Sequence, residues 1–152
     1  MPSTAVVELR PLRRRDIPIL LRITRENMED IMLASWGLQW SDDPLLEWLR
    51  DRHVETEVAA EKRRPIAYCS TEKIDNYLFI TSLQVDKMHQ GQGLGRRLLE
   101  RVEAKVSDRS VEGVELCVQL TNASGLAFYS HMGYRVICRR GNNYLMRRTL
   151  VP

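Results

Sequence analysis

The sequence predicts an α/β fold, with helices packed on a mixed β-sheet, and three observations support this. Apolar residues recur at helical spacing over residues 17–28. From residue 56 the pattern changes to strand-like segments separated by short turns. A continuous apolar stretch at residues 111–120 is typical of a strand buried on both faces. Elements in this order favour helices covering a sheet. With 152 residues, 43% of them hydrophobic, we expect one domain over residues 1–152.

The chain is predicted to open with a strand and an amphipathic helix. AVVELRPL, residues 5–12, is typical of the first strand. Asp16 has the chemistry of a helix N-cap, and Pro18 suits the first turn of a helix, where a backbone N–H is not needed. The apolar spacing predicts that this helix continues to about Met28.

Two short helices are predicted next. EDIMLASWGLQW, residues 29–40, predicts a helix that ends near Gly37, because glycine commonly terminates helices. SDDPLLEWLRDRH, residues 41–53, opens with aspartates and Pro44, which favours another short helix.

The middle of the chain predicts three strands, a glycine-rich turn and a helix. The strands are bounded by turn-like RP and IDN segments and cover residues 56–63, 65–73 and 77–85. QGQGLG, residues 90–95, follows the third strand and precedes RRLLERVEAKV, residues 96–106, whose pattern is helical.

The last third predicts a buried strand, a short helix and a closing hairpin. After the strand at residues 111–120, Thr121 or Asn122 can cap a helix that stops at Gly133. YRVICRR and NNYLMRRTL then read as two strands joined by a turn at Gly141 and Asn142.

Composition narrows the function classes. No run of about 18 apolar residues predicts a membrane span, and no secretory signal is recognisable, so we expect a cytoplasmic protein. Acidic residues are interleaved with the basic ones at a net charge of +3, and no aromatic residues alternate with them, so we expect no nucleic-acid groove. The three cysteines and three histidines are scattered, which predicts neither a disulfide nor a metal site.

The glycine turn predicts an anion site. Gly91, Gly93 and Gly95 let the backbone turn sharply, and the following helix N-terminus directs free N–H groups at a phosphate or pyrophosphate. The spacing matches neither a Rossmann fingerprint nor a Walker A loop.

Two blocks of the sequence resemble the GCN5-related N-acetyltransferase family. Gln90-Gly91-Gln92-Gly93-Leu94-Gly95 resembles that family's Q/R-x-x-G-x-G/A motif, and it follows a Val-Asp strand end. Asn122, Tyr129, Gly133 and Tyr134 resemble a second block, N-x6-Y-x3-G-[FY]. The resemblance covers roughly residues 5–150. It implies a sheet of about seven strands, splayed in the middle and flanked by about four helices, with acetyl-CoA as cosubstrate.

The resemblance also implies a set of site residues. Acetyl-CoA would lie between strands 77–86 and 111–120, where the pantetheine arm would pair with the first strand's edge. A β-bulge in the first of these strands would free a backbone N–H near Val85 for the thioester oxygen. Tyr129 would give a proton to the leaving thiolate. The residues implied to bind the cofactor are Leu83, Gln84, Val85, Gln90, Gly91, Gln92, Gly93, Leu94, Gly95, Arg96, Asn122 and Phe128. No metal is implied.

The sequence identifies the general base and the acceptor amine less clearly than the cofactor site. Family members that acetylate ribosomal-protein alanines often carry Glu where this chain has Cys117, and this difference weighs against membership of that subgroup. We take Glu29 as the candidate base. We expect direct transfer to a primary amine of a small molecule. The alternatives are a protein N-terminal or lysine acetyltransferase, a non-catalytic acyl-CoA sensor, and a nucleic-acid-binding module. Family members often dimerise, so a homodimer is possible.

Overall fold

The computed structural model describes residues 6–151, and its elements follow the α/β pattern that the sequence predicts. Four α-helices and seven strands form over these residues. In chain order they are β1 Val7–Pro11, α1 Ile17–Trp36, α2 Asp43–Arg50, β2 Val54–Glu61, β3 Arg64–Ile74, β4 Tyr77–Val85, α3 Leu94–Ala104, β5 Gly113–Gln119, α4 Ala123–His131, β6 Arg135–Arg140 and β7 Asn143–Thr149. No helix within residues 6–151 is long and apolar enough to cross a membrane.

One seven-stranded sheet runs in the order β1-β2-β3-β4-β5-β7-β6. Neighbouring strands are antiparallel except for β4 and β5, which are parallel. These two strands pair only from Tyr77 opposite Gly113 to Ile80 opposite Leu116. Beyond that point the C-terminal ends of β4 (residues 81–85) and β5 (residues 117–119) separate, and we call the space between them the gap. The predicted splay of the sheet is confirmed.

Apolar side chains form a core on each face of the sheet. On one face, α3 packs its buried Leu98 and Leu99 against strand residues such as Val114 and Leu116. On the other face, α1 and α2 bury a smaller cluster against β2 and β3, made of Leu20, Ile23, Leu45, Leu49, Val58 and Tyr68. The gap therefore has α3 and α4 on one side and α1 on the other.

Helix α1 is longer than the sequence predicts. The expected break between Met28 and Glu29 is wrong, because the helix continues without interruption to Trp36. Residues 27–35 contain neither glycine nor proline, so nothing local ends the helix there. The predicted end at Gly37 is confirmed: its φ of 64° is left-handed, and its N–H donates to the carbonyl of Leu33 at 2.8 Å.

Asp16 precedes α1 as predicted, but its carboxylate does not cap the helix. It binds the guanidinium of Arg10 through two hydrogen bonds of 2.7 and 3.0 Å and accepts the N–H of Arg13 at 2.8 Å. Asp16 and Arg10 are 1% and 4% exposed. Burial alone would raise the pKa of Asp16, but these partners outweigh it and hold the pKa below its ordinary value. The pair ties β1 to the start of α1.

Strand β6 forms the far edge of the sheet, and all six of its residues are exposed. Its pairing with β7 is interrupted between Val136 and Cys138, which leaves Ile137 as a bulge. The turn into β7 is the predicted tight hairpin, with Gly141 at a φ of 59°. The strand carries Arg135, Arg139 and Arg140 beside exposed Val136 and Ile137.

Candidate active site

The edge of β4 presents free backbone groups to the gap. The N–H of Asp86 donates to the carbonyl of Ile66 in β3 at 2.8 Å. Backbone groups along a strand point alternately to the two sides, so those of Leu83 and Val85 point away from β3. Strand β5 has already diverged at this level, so the N–H and carbonyl of Leu83 have no strand partner and face the gap.

A β-bulge lies at the start of this free edge. Ser70 of β3 is opposite Ser82, whereas the next residue, Thr71, is opposite Ile80, so Thr81 is the extra residue. The bulge expected in this strand is therefore present, four residues before Val85, where β4 stops pairing with β5. We take the N–H of Leu83, two residues from Val85, as the candidate donor for the acyl oxygen.

The glycine turn has the geometry of an anion site. Gly91 and Gly93 have φ angles of 79° and 80°, and a Cβ built on either would meet nothing within 4 Å. Helix α3 starts at Leu94 without a side-chain cap. The first N–H groups of a helix have no intrahelical acceptor, so those of Leu94, Gly95 and Arg96 remain free beside this open space. The turn therefore fits the pyrophosphate of coenzyme A.

The side chains of Arg96 and Gln92 do not add to this cradle. The Arg96 guanidinium, exposed to solvent, pairs with Glu100 one helical turn away at 2.8 Å. Gln92 is exposed as well. At both positions the backbone, rather than the side chain, lies in the turn. The predicted contacts of these two residues with the cofactor therefore involve backbone atoms.

Two predicted cofactor residues, Gln84 and Gln90, use their side chains to hold the turn. The Gln90 amide donates to the carbonyl of Val85 at 3.0 Å. Asn27 of α1 donates to the same carbonyl at 2.8 Å and to the side-chain oxygen of Gln84 at 3.1 Å. The Val85 carbonyl is thus occupied and is not free to pair with a pantetheine arm. Asn27 carries no local sequence signal, since its role depends on α1 crossing β4.

The aromatic side of the gap comes from α4. Phe128 lies against the glycine turn, with its ring 3.4 Å from the position a Cβ would take on Gly95. Tyr129 packs edge-on against Phe128 and Tyr134, with ring centroids 5.0 and 5.7 Å away. Burial raises the pKa of Tyr129 well above its usual value, which keeps the phenol protonated. A protonated phenol among apolar neighbours can donate one hydrogen bond or one proton.

Asn122 begins α4 as its N-cap. Its side-chain oxygen accepts the N–H of Gly125 at 2.9 Å, and its amide donates to Gln119 at 3.2 Å. A Cβ at position 125 would lie 2.7 Å from the Asn122 amide nitrogen, so any larger residue there would displace the Asn122 side chain. The structure gives Asn122 a helix-capping role, through which it orients the helix that bears Tyr129.

The structure does not bring Glu29 to the gap. It lies nine residues after the buried Leu20, which rotates it half a turn around α1 to the solvent face. Cys117, the position at which the family resemblance would place a glutamate, stands at the gap end of β5 and is partly buried. Burial raises the pKa of its thiol, so Cys117 stays neutral rather than acting as a base.

A hydrogen-bonded bridge closes the α1 side of the gap. The C-terminal end of α1 reaches the loops on the far side, where the Asn142 amide donates to the Ser35 carbonyl at 2.6 Å. The hydroxyls of Ser35 and Thr121 lie 2.7 Å apart. Beside this bridge is a cavity of about 110 Å³, lined by Ala34, Ser35, Leu120, Thr121 and Asn142.

Three hydroxyl groups connect α1 to the gap. The Tyr68 hydroxyl, at the centre of β3, is hydrogen-bonded to Thr24 of α1 and to Ser82 of β4, the latter at 2.8 Å. Tyr68 is fully buried, and burial raises its pKa to about 12. The sequence does not predict these hydrogen bonds, because the three hydroxyl groups come from three separate elements.

Comparisons of the sequence and of the structure with known proteins both match acetyltransferases. The model of the acetyltransferase (GNAT) family matches residues 21–134. The ribosomal protein bS18-alanine N-acetyltransferase of Salmonella typhimurium is 28% identical over 118 residues, 73% of this chain and 79% of that protein. The mycothiol acetyltransferase of Beutenbergia cavernae is 34% identical over 107 residues, 70% of this chain but 33% of that protein. The crystal structure of the PaiA N-acetyltransferase of Thermoplasma acidophilum in complex with coenzyme A has the same fold, with a TM-score of 0.75, 18% identity, and coverage of 95% of this chain and 99% of that chain.

Proposed function

The chain belongs to the acetyltransferase (GNAT) family and is an N-acetyltransferase that uses acetyl-CoA, and on this premise we propose that its acceptor is the primary amine of a small molecule. The observation that carries the proposal is the bridge from Ser35 to Thr121 and Asn142. It spans the α1 side of the gap with two short hydrogen bonds, beside a cavity of about 110 Å³. Because the bridge takes up space at this side of the gap, we infer that a slim aliphatic amine fits better than a folded protein surface.

The residues around the gap can hold acetyl-CoA in one orientation. The free N–H groups of Leu94, Gly95 and Arg96 bind its pyrophosphate at the positive end of α3. The carbonyl of Leu83 and the N–H of Val85 bind the pantetheine arm, while Asn27 and Gln90 keep the Val85 carbonyl occupied. These contacts direct the reactive end of the cosubstrate towards the α1 side.

Two groups of the chain assist the transfer. Acetyl-CoA supplies an acyl carbon activated as a thioester. The N–H of Leu83 stabilises the negative charge that develops on the acyl oxygen. As the amine forms its C–N bond, the C–S bond breaks and Tyr129 protonates the leaving thiolate. The surplus amine proton goes to water, from which Tyr129 recovers its own proton.

A peptide α-amine is the second candidate acceptor. It is favoured by the relatives named ribosomal protein bS18-alanine N-acetyltransferases. Against it stands Cys117, a neutral thiol at the position where that subgroup often has a carboxylate.

A comparison of acceptors tests the proposal. Purified protein and acetyl-CoA are mixed with polyamines, amino acids and short peptides that begin with alanine, and release of the coenzyme A thiol is followed by its colour reaction. We expect kcat/KM to be highest for a small amine. A peptide with a higher kcat/KM than every small amine would replace the first candidate by the second.

The bridge itself is tested with Asn142→Ala. Loss of its amide opens the acceptor side, so we expect the kcat/KM ratio of peptide to small amine to rise. Asn76→Ala serves as the control, since Asn76 is an exposed asparagine in the turn between β3 and β4, at the opposite end of β4 from the gap. Equal ratios in both variants would remove the bridge as the reason for selectivity.

A further inference from the structure

The hydroxyl chain of Thr24, Tyr68 and Ser82 has a fixed direction. Each hydroxyl has one hydrogen to donate. The Thr24 hydroxyl donates to the carbonyl of Leu20 at 2.8 Å, and a carbonyl can only accept. Thr24 therefore accepts from Tyr68, whose single hydrogen is then used. It follows that Ser82 donates to Tyr68.

This direction leaves Ser82 as a hydrogen-bond acceptor. Its hydrogen is committed to Tyr68 at 2.8 Å, and no donor within residues 6–151 is bonded to its oxygen. The phenol of Tyr68 keeps its proton across the working pH range, because burial raises its pKa to about 12. The order of donors and acceptors is thus the same throughout that range.

Ser82 also occupies the right place for contact with an acceptor. It adjoins the bulge residue Thr81 and directly precedes Leu83, whose N–H faces the gap. It lies beyond Ile80, the last residue of β4 that pairs with β5. Its side chain is on the α1 face, since its partner Tyr68 contacts α1 through Thr24.

From this geometry we propose that the Ser82 hydroxyl oxygen accepts a hydrogen bond from the acceptor's amine N–H and so aims the nitrogen lone pair at the acyl carbon. Tyr68 and Thr24 are positioning residues, which prevent the Ser82 hydroxyl from turning its hydrogen towards the amine. No proton is transferred to Ser82 in this arrangement. The inference rests on the proposed acetyl transfer but holds for a small amine and for a peptide amine alike.

The test uses four variants and two acceptors. The acceptors are n-butylamine and a peptide beginning with alanine. Ser82→Ala removes the acceptor oxygen, Ser82→Thr keeps it, and Tyr68→Phe frees the Ser82 hydrogen. Thr56→Val is the matched control, because Thr56 and Ser70 form another buried hydroxyl pair at 2.7 Å, and Thr56 itself lies on β2, which β3 separates from β4.

For Ser82→Ala we expect kcat/KM for the better acceptor to fall about tenfold, the size of one neutral hydrogen bond, with the affinity for acetyl-CoA in calorimetry unchanged. Ser82→Thr should restore most of the rate, Tyr68→Phe should give an intermediate loss, and Thr56→Val should match the wild type. Equal rates for Ser82→Ala and wild type overturn the proposal. So does an equal loss in Thr56→Val, because the effect would then be structural.

The same data separate this proposal from the choice of acceptor. The wild-type preference between n-butylamine and the peptide decides the acceptor class. The ratio of each variant to wild type, measured on the preferred acceptor, decides the role of Ser82. A preference for the peptide would thus reject the small-amine proposal while leaving the test of Ser82 intact.

Discussion

Replacing Gly93 by glutamate should weaken acetyl-CoA binding by a calculable amount. The added carboxylate would lie in the open space next to the free N–H groups of α3, the proposed pyrophosphate site. At a separation of about 6 Å and an effective dielectric constant of about 20 to 80, two like charges repel by about 1–3 kcal/mol. This corresponds to a loss of affinity of about 5- to 150-fold.

A backbone cost accompanies the charge effect and needs its own control. Gly93 has a φ of 80°, and a residue with a side chain pays about 1–2 kcal/mol there. Gly37→Glu carries a similar strain, at a φ of 64° and also with nothing within 4 Å, but it lies at the end of α1. Both variants should lose stability in urea titrations, whereas only Gly93→Glu should lose affinity.

Calorimetric titration with acetyl-CoA measures the effect. Gly93→Gln keeps the size without the charge, so its affinity should fall between those of Gly93→Glu and wild type. In about 1 M salt, where the screening length is about 3 Å, the difference between the two variants should shrink. If Gly93→Glu and Gly37→Glu bind acetyl-CoA equally well, the pyrophosphate does not lie at this turn.

Two further perturbations follow from the described contacts. Tyr129→Phe should lower kcat about 100-fold or more at unchanged acetyl-CoA affinity, since general acid catalysis is lost; a kcat near that of wild type in steady-state assays would exclude Tyr129 as the acid. Asp16→Asn should destabilise the protein by about 3–5 kcal/mol, because it leaves the buried Arg10 charge unpaired. The lowered pKa of Asp16 means that the wild type gains stability from this pair above about pH 4, the unfolded value, and loses it as the pH falls through the lower folded value. Urea unfolding at a series of pH values should therefore show a steeper acid loss in wild type than in Asp16→Asn, and parallel curves would contradict the assignment.

Local patterns were sufficient to predict most elements but not every boundary. Strand β4 and the hairpin at Gly141 follow from residue types that act over a few positions. The break predicted in α1 fails because Glu29 and Asp30 resemble a new helix start, although acidic residues are equally suited to the solvent face of a continuing helix. Asp16 is a second example: its residue type suits a helix cap, but its carboxylate is hydrogen-bonded to Arg10 of β1 instead.

In the candidate site, too, local features could be predicted from the sequence, whereas contacts between distant elements could not. The glycine turn is recognisable because its backbone angles demand glycine at positions 91 and 93. The partners of Asn27 and Ser82 could not be predicted, since each contact joins elements that only the folded sheet brings together. The bulge at Thr81 likewise depends on the pairing of β3 with β4, which no local pattern encodes.

The exposed edge strand β6 has a consequence for how copies of the protein meet. Unpaired edges with apolar residues are templates for strand addition and aggregation. Val136 and Ile137 provide such apolar surface, at 50% and 46% exposure. Two copies paired through β6 would crowd the guanidinium groups of Arg135, Arg139 and Arg140 from both chains, and the bulge at Ile137 would disturb their register. The charge and the irregular pairing thus both disfavour the addition of a strand from a second copy at this edge.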